Sequence, residues 1–393
     1  MNVINVVGAR PNFMKISPII RAMEEIPGMG WLLVHTGQHY DVEMSEAFFQ
    51  ELVIPKPDIN LEVGSGSHAH QTGQIMMAFE GVCLREKPDL VLVVGDVNST
   101  IACSLVASKL RIPVAHVEAG LRSFDRRMPE EINRMVTDIL STYLFTTCEE
   151  ANQNLLREGV APEKIFLVGD VMIDTLYANL ESIRKKDTWR RLGLKRKEYA
   201  VLTLHRPANV DDPKVFQEII SGLDEISTRL PIVFPIHPRT KRALSRFGYE
   251  GSFRFLDVEF PSAGGSNKNG VVRGPGIWCC DALGYLDFQN LVVHSKFVMT
   301  DSGGIQEETT VLGIPCLTLR DTTERPVTIT LGTNLLLGHD KRRIIEEAMK
   351  ILRGEGKGGQ SPPLWDGRAA ERIVGILARE FKISARSAAR TRQ

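Results

Sequence analysis

Short runs rich in valine, isoleucine and leucine alternate with longer stretches of helical periodicity along most of this chain. Such runs are typical of strands buried on both faces of a parallel sheet, and the stretches between them have the length of crossover helices. The pattern predicts βαβ units and an α/β fold of doubly wound, Rossmann-like design. The predicted strands are 2–7, 31–36, 89–95, 113–117, 143–147, 165–168, 199–204, 231–236, 253–257, 296–300 and 315–319.

The strands fall into two series, separated by the charged stretch 181–198. A chain of 393 residues is long for one hydrophobic core, so two domains are expected. We predict a first Rossmann-like domain over 1–172 and a second over 173–364, facing each other across a cleft. A helix within 365–381 has an apolar face and should pack back on the first domain. The basic tail 382–393 is predicted to be disordered.

The connections carry two further predictions. Segment 260–281 is rich in glycine, serine and asparagine, and it should form a long surface loop. Periodic apolar positions indicate helices between the strands of the first series. These predicted helices are 15–25, 43–52, 71–86, 99–110, 130–140 and 149–157.

Composition excludes several classes of function. Lysine plus arginine and aspartate plus glutamate both number 48, so no overall field favours nucleic acid or an anionic membrane. The six cysteines have neither disulfide nor metal-ligand spacing. The N-terminus enters a strand without a basic leader, and no apolar run is long enough to span a bilayer. We therefore expect a cytoplasmic protein without a metal site.

Residues 301–326 contain the strongest sign of a ligand site. The apolar run 296–300 predicts a strand and Ile305 onward predicts a helix, so Ser-Gly-Gly at 302–304 should form the turn between them. Free amides, the positive end of the helix dipole and two glycines together suit a phosphate group. Glu308 should lie one turn into the helix, near a sugar hydroxyl. Arg320 and Arg325 are suited to neutralise a diphosphate.

Charged residues also follow the predicted strands of the first domain. Arg10 and Lys15 lie at the first strand-to-helix junction, and both are suited to a diphosphate. Asp96 and Glu118 each follow an apolar strand, where a carboxylate costs free energy unless it is paired or used. Glu130 opens a helix after Pro129, a place where acids are also ordinary helix starters.

Two histidines follow strands of the second domain. His205 and His237 each precede an arginine closely, and either is suited to donate a proton or contact a phosphate. The sequence contains no Ser-His-Asp arrangement, no zinc spacing and no G-x-G-x-x-G after the first strand. A bound nicotinamide therefore has little support.

Taken in order along the chain, these motifs resemble those of the non-hydrolysing UDP-N-acetylglucosamine 2-epimerases, and the resemblance covers residues 1 to about 380. It implies a glycosyltransferase-B-type fold, a homodimer and no redox cofactor. The motifs that carry it are Gly8-Ala-Arg-Pro, His35-Thr-Gly-Gln-His-Tyr40, Gly95-Asp96, His116-Val-Glu-Ala-Gly-Leu-Arg122, Pro129-Glu-Glu-Ile-Asn-Arg134, Asp301–Glu308 and Arg320–Pro326.

The implied reaction interconverts UDP-GlcNAc and UDP-ManNAc. The proton at C2 is removed, UDP leaves C1 to give 2-acetamidoglucal, and UDP then adds again after protonation on the opposite face. By the resemblance, the acid/base set is Asp96, Glu118, Glu130 and His205. The residues that the resemblance implies for UDP binding are Arg10, Lys15, His237, Ser302, Gly303, Gly304, Glu308 and Arg325.

The chain departs from the family pattern at two positions near these motifs. Ala208 and Val327 stand where the family usually has glutamate. The form of 35–40 also differs from that of members regulated by a second UDP-GlcNAc molecule, which argues against allosteric activation. Four alternatives remain open: epimerisation of another UDP-sugar such as a 2,3-diacetamido glucuronate, hydrolysis to free ManNAc, glycosyl transfer, and a nucleotide-sugar sensor without turnover.

Overall fold

The computed structural model describes residues 1–38, 51–52, 54–256 and 270–383. It divides into unit 1, made of Met1–Ala178 and the chain from Pro363 onward, and unit 2, Asn179–Pro362. Most of the helix predicted at 43–52, the first ten residues of the loop predicted at 260–281 and most of the predicted disordered tail lie outside the described residues. Within the described ranges, no helix is both long and apolar enough to cross a membrane.

Unit 1 is built on a seven-stranded sheet in which every strand pair is parallel. The order is β3-β2-β1-β4-β5-β6-β7, so the direction of winding changes between β1 and β4. Strand β4 is entirely apolar and buried, and β1 is buried from Val3 to Val7, with Asn5 as a polar residue among them. The strands are β1 Asn2–Val7, β2 Gly30–His35, β3 Ile59–Asn60, β4 Leu90–Val94, β5 Val114–Ala119, β6 Tyr143–Thr146 and β7 Ile165–Leu167.

Helices cover this sheet and bury an aliphatic core that includes Ile75, Phe79 and Val93. Several begin with proline or with acidic residues in the first turn, as the helix dipole favours. The helices are α1 Arg10–Glu24, α2 His68–Glu86, α3 Asn98–Lys109, α4 Pro129–Leu140, α5 Glu149–Arg157 and α6 Val171–Lys185, which runs across the division between the units.

Unit 2 repeats the plan with a second parallel seven-stranded sheet, in the order β10-β11-β9-β8-β12-β13-β14. Here the winding changes between β8 and β12. Two Rossmann-like parallel sheets confirm the predicted α/β fold class of the glycosyltransferase-B type. The strands are β8 Ala200–Thr203, β9 Pro231–Pro235, β10 Phe253–Phe255, β11 Gly276–Cys280, β12 Phe297–Thr300, β13 Cys316–Thr318 and β14 Asn334–Leu336.

The helices of unit 2 pack on a core that includes Phe216, Phe234 and Phe297, all fully buried. They are α7 Thr188–Arg191, α8 Pro207–Val210, α9 Pro213–Ser227, α10 Pro238–Phe247, α11 Tyr285–His294, α12 Gly303–Leu312, α13 Val327–Thr330 and α14 Lys341–Leu352.

The structure corrects the prediction that 260–281 is a loop throughout. Residues Gly276–Cys280 form β11, a strand inside the sheet that pairs with both β9 and β10. Its Ile-Trp-Cys-Cys sequence is buried. The strand was not predicted because the residues before it are rich in glycine and asparagine, a composition typical of loops. Strands β3 and β14 were also not predicted, because runs of two and three residues are too short to show a period.

The last helix of the described chain, α15 Ala369–Glu380, packs against α1 in unit 1. Asp174 of α6 accepts hydrogen bonds from the backbone amides of Ala369 and Ala370, at 3.1 and 2.7 Å. Burial raises the pKa of this carboxyl to about 6, although both amides oppose the shift. A side chain distant in sequence therefore caps the helix that closes unit 1.

Candidate functional site

In unit 1, Asp96 lies at the carboxyl end of β4, beside the point where the winding changes. Arg134 of α4 donates to Asp96 Oδ2 from Nε at 3.0 Å and from a terminal nitrogen at 2.6 Å. The same guanidinium lies 2.6 Å from Glu131. Because Arg134 is buried, it holds the Asp96 carboxylate ionised in a fixed orientation.

Glu118 and Lys15 form a buried ion pair, with 2.5 Å between Lys15 Nζ and Glu118 Oε2. Lys15 was predicted to contact a diphosphate, and in the structure it pairs with a predicted catalytic acid. The other oxygen, Oε1, has no hydrogen-bond partner among the described residues. Among the described residues, the pair thus leaves one carboxylate oxygen of Glu118 without a hydrogen bond.

Glu130 and Glu131, which are adjacent in the first turn of α4, have different surroundings. Glu131 is buried and accepts hydrogen bonds from Ser123 N, Ser123 Oγ and Phe124 N, each at 2.9 Å. Glu130 is partly exposed. Glu131 therefore fixes the loop that precedes α4, whereas Glu130 is the accessible acid of the pair.

The motif that contains Glu118 also carries a buried network that sequence reasoning did not assign. His116, on β5, lies 2.6 Å from Asp138 of α4 and 2.9 Å from the carbonyl oxygen of Gly95. Asp138 also lies 2.7 Å from Arg122. These residues touch the backbone of both turns that carry Asp96 and Glu118.

At the start of α1, Arg10 is largely buried, and burial lowers the pKa of its guanidinium. His35, at the end of the neighbouring strand β2, has its ring centroid 5.1 Å from that of Phe13. Burial lowers the pKa of His35 to about 4, so the ring is neutral at physiological pH. The last two residues of the 35–40 motif lie outside the described part of the chain.

In unit 2, α12 begins at Gly303, with Ser302 as its N-cap residue and no side-chain cap. The helix thus starts two residues earlier than the sequence predicted, and both glycines lie in its first turn. A Cβ on Gly303 would come within 2.5 Å of a terminal nitrogen of Arg325. Glycine is needed here because the guanidinium lies directly against the start of the helix.

Three arginines and two buried acids surround this helix start. Arg325 pairs with both Glu307 and Glu324. Glu324 also lies 2.8 Å from Arg320 and 3.6 Å from Arg206. These five side chains carry one positive charge more than negative, but Asp301 beside Arg206 balances it, so the helix dipole and the backbone amides are what favour an anion here.

Asp301 connects this helix start to the loop after β8. Its Oδ2 accepts from the backbone amides of His205 and Arg206, both at 2.8 Å, and from Asn209 at 3.1 Å. His205 Nδ1 lies 2.8 Å from the other oxygen. Burial alone would raise the pKa of Asp301, but His205 and the two amides bring it below its ordinary value.

The two predicted histidines lie together. The ring centroids of His205 and His237 are 5.9 Å apart. Burial, followed by His205 itself, lowers the pKa of His237, and its Nδ1 accepts from the amide of Arg239 at 3.1 Å. His205 is therefore oriented by a carboxylate, and His237 caps α10 with a neutral ring.

Glu308 is buried in unit 2. It accepts a hydrogen bond from Tyr285 Oη at 2.8 Å and another from Gln289 Nε2, both on α11. Burial raises the pKa of Glu308 to about 7, while those two hydrogen bonds oppose the rise. Glu308 stays a predicted ligand contact, but its carboxyl group already bridges two helices.

Sequence reasoning found the strand-end residues and missed their charge partners, chiefly Arg134, His116, Asp138, Arg206 and Glu324. All five are buried or largely buried polar residues. The signal available was their occurrence inside the recognised motifs or next to them.

The two departures from the family pattern have different environments in the structure. Ala208 is exposed on the short helix α8, so a larger side chain would fit there. Val327 is buried as the first residue of α13. A glutamate at 327 would bring a charge into an apolar position of unit 2, whereas a glutamate at 208 would not.

Comparison with known proteins assigns the chain to a family. A family model described as UDP-N-acetylglucosamine 2-epimerase matches residues 21–378. The UDP-N-acetylglucosamine 2-epimerase of Methanocaldococcus jannaschii is 44% identical, with 95% of this chain and 97% of the relative covered. A UDP-2,3-diacetamido-2,3-dideoxy-D-glucuronate 2-epimerase of Pseudomonas aeruginosa is 40% identical, with 96% of this chain and all of the relative covered.

Among solved structures, the Methanocaldococcus jannaschii UDP-GlcNAc 2-epimerase in complex with UDP-GlcNAc and UDP superposes with a TM-score of 0.84. It is 43% identical, and the alignment covers 96% of this chain and all of that one. The match therefore extends over both units.

The buried carboxyl of Glu308 gives a prediction about stability and pH. Between its ordinary pKa of 4.5 and about 7, the folded state keeps a proton that the unfolded state has released. The free energy of unfolding should therefore fall as pH rises through this window, by about 3 kcal/mol at most. In Glu308→Gln this contribution to the pH dependence of the free energy of unfolding should disappear. The measurement is urea unfolding at pH 5, 6, 7 and 8.

The matched control is Glu346→Gln, at an exposed position of α14. It should keep the slope of the unchanged protein. Equal slopes for the unchanged protein and Glu308→Gln would show that Glu308 does not hold a proton on folding.

Proposed function

The chain belongs to the UDP-N-acetylglucosamine 2-epimerase family, and we propose that it inverts C2 of UDP-GlcNAc to give UDP-ManNAc, and the reverse. The observation that carries this proposal is the pairing of Asp96 and Glu118, in unit 1, with the buried cations Arg134 and Lys15. A paired carboxylate stays ionised and can accept a proton. The structure of the 43%-identical relative in complex with UDP-GlcNAc and UDP supports the choice of substrate.

The reaction begins with loss of the C2 proton to a carboxylate as the bond between C1 and the diphosphate oxygen breaks. The electron pair of the C2–H bond forms the C1=C2 double bond of 2-acetamidoglucal, and UDP leaves with the electrons of the C1–O bond. Protonation at C2 on the opposite face, with attack of UDP at C1, completes the inversion. No electron is gained or lost overall, so the reaction needs no redox cofactor.

We assign the proton transfers to Asp96, Glu118 and Glu130, with His205 as an assisting acid. The first two have fixed orientations through their cation partners, and Glu130 is the accessible acid of α4. His205 Nδ1 lies 2.8 Å from Asp301 Oδ1, which fixes the orientation of the ring.

We assign UDP binding to the residues that the family resemblance implies. In unit 2 the assigned residues are Ser302, Gly303, Gly304 and Arg325. The two glycines offer backbone amides at the start of α12 and Arg325 lies against Gly303, while the amide of Ser302 donates to Thr300 Oγ1. This combination stabilises the negative charge that grows on the diphosphate as the C1–O bond breaks. The remaining assigned contacts are Arg10, Lys15, His237 and Glu308.

A second candidate substrate is a UDP-2,3-diacetamido glucuronate. The Pseudomonas aeruginosa enzyme named for that sugar is nearly as similar to this chain as the UDP-GlcNAc 2-epimerase of Methanocaldococcus jannaschii. The two sugars differ in the substituents at C3 and C6, while the proposed chemistry at C1 and C2 is the same. Substrate selection therefore depends on contacts away from the reacting atoms.

We also propose that the chain forms a homodimer through unit 1. Met77 and Leu84 of α2 are 63% and 58% exposed, and Ile139 of α4 is 70% exposed. Both helices pack against α3, so these apolar side chains belong to one layer of helices. Large apolar side chains grouped on a surface are typical of a protein interface.

Proton NMR in deuterium oxide tests the proposed reaction. UDP-GlcNAc incubated with the protein should become a mixture with UDP-ManNAc, and deuterium should appear at C2 in both sugars. Free ManNAc would indicate hydrolysis, and no exchange would exclude UDP-GlcNAc as substrate. The diacetamido sugar would then be tested in the same way.

Single variants test the roles of the acids. Asp96→Asn, Glu118→Gln and Glu130→Gln should each slow deuterium exchange at least 100-fold while UDP binding, measured by calorimetry, changes little. Glu163→Gln is the matched control, since Glu163 is an exposed acid of unit 1 outside the strand ends. Exchange at the unchanged rate in all three acid variants would refute their assignment.

The dimer has its own test. Leu84→Glu combined with Ile139→Glu should convert the protein to a monomer in sedimentation velocity, because two charges would lie in an apolar interface. Phe255→Glu is the control, since Phe255 is a 48% exposed aromatic residue in unit 2. A dimer that persists in the double variant would exclude this surface as the interface.

A further inference from the structure

His116 of unit 1 is completely buried and both of its ring nitrogens have a close neighbour. Nδ1 lies 2.6 Å from Asp138 Oδ1, and Nε2 lies 2.9 Å from the carbonyl oxygen of Gly95. A carbonyl oxygen can only accept, so Nε2 must carry a hydrogen. The protonation state of the ring then depends on whether Nδ1 or Asp138 holds the remaining hydrogen.

The surroundings of Asp138 favour a charged carboxylate. Its Oδ2 accepts from the backbone amide of Gly120 at 3.1 Å and lies 2.7 Å from Arg122. Burial alone would raise the pKa of Asp138, but His116 and Arg122 outweigh burial and bring it below its ordinary value. His116 and Asp138 therefore form one buried hydrogen-bonded pair.

We propose that His116, together with Asp138, is a positioning residue for Asp96 and Glu118. Its Nε2 holds the carbonyl of Gly95, the residue before Asp96. Its partner Asp138 holds the amide of Gly120, two residues after Glu118. One buried hydrogen-bonded pair therefore connects the turn after β4 to the turn after β5. The assignment rests on the proposed function for the role of those acids.

Glu118 needs such support because its backbone lies in the left-handed region, a conformation that strains glutamate but not the nearby Gly95 and Gly120. Gly95, Glu118 and Gly120 have φ angles of +67°, +69° and +76°. A glutamate in the left-handed region costs about 1–3 kcal/mol and persists only where its surroundings impose it. A Cβ on Gly120 would lie 2.4 Å from the carbonyl oxygen of Ala151, so that turn cannot shift outward.

The charged groups around the pair balance one another. Asp138 comes from α4, Arg122 from the loop after β5, and Glu158, 2.6 Å from Arg122, follows α5. On the same strand as His116, Glu118 is neutralised by Lys15 of α1. Each carboxylate around the pair therefore has a cationic neighbour, which lowers the cost of its burial.

The hydrogen bond from His116 Nε2 to Gly95 is tested by nitrogen NMR of the histidine rings in the unchanged protein. Nε2 should carry a hydrogen, because a carbonyl oxygen can only accept. The resonances are assigned by their loss in His116→Gln. An Nε2 without hydrogen would overturn the contact with Gly95, and this result does not depend on which substrate is turned over.

The positioning claim is tested with Asp138→Asn. This variant should lower kcat for C2 exchange about 10- to 100-fold, because the catalytic acids would be misplaced. KM and the affinity for UDP should stay within about twofold of those of the unchanged protein. The backbone amide resonances of Gly95 and Glu118 should shift, which needs no turnover. Glu158→Gln is the control, because Glu158 lies at the partly exposed outer end of the network. It should change neither kcat nor the amide resonances of Gly95 and Glu118.

Unshifted amides in Asp138→Asn would refute the positioning role. If the unchanged protein were inactive with UDP-GlcNAc, the proposed substrate would fail while the amide and ring resonances would still decide this claim. Should Asp138→Asn not fold, His116→Gln takes its place in the amide measurement, and unshifted amides there would refute the role equally.

Discussion

Parallel strand pairing is the constraint on which both units depend. Every strand pair within the described chain is parallel, so all strands of a sheet end at the same edge. Where the winding changes direction, the loops after two neighbouring strands diverge and leave room for a ligand. In unit 1 this point lies between β1 and β4, and in unit 2 between β8 and β12. The predicted site residues lie at, or one strand away from, these two points.

Each unit contains a buried carboxylate that connects its strand-end loops through hydrogen bonds. Asp138 joins the turns after β4 and β5 through His116 and the amide of Gly120. Asp301 binds the loop after β8 through two backbone amides and His205. Both pKa values lie below the ordinary value because cationic or hydrogen-bonding partners outweigh burial. Buried charge is tolerated in this fold where it orients the loops that carry chemistry.

Most of the fold was predictable from the sequence, because apolar runs and periodic apolar positions indicate which residues are buried in strands and helices. Strand β4 and helix α4 lie within one residue of their predicted bounds at each end. Strand β11 was missed because its apolar residues follow a glycine-rich segment that dominates the local composition. Residues 302–304 were expected to precede the helix, but Gly303 begins it, since glycine gives little indication of a helix start.

The candidate site was predictable only in part. Strand-end position identified Asp96, Glu118 and His205, because position follows from topology. Pairing does not follow from topology: Lys15 is 103 residues from Glu118, and Arg134 is 38 from Asp96. Such partners depend on the register of strands and helices across the unit, which one sequence does not contain. The pairing of Lys15 with Glu118 is a contact that the prediction of a diphosphate ligand did not include.

The central claim is that UDP leaves C1 and returns. It is tested most directly by positional isotope exchange with UDP-GlcNAc that carries ¹⁸O in the bond between C1 and the β-phosphorus. Elimination and re-addition predict that ¹⁸O moves into the non-bridging β-phosphate positions, followed by phosphorus NMR, while C2 inverts. Inversion at C2 with all ¹⁸O still in the bridge would contradict the account.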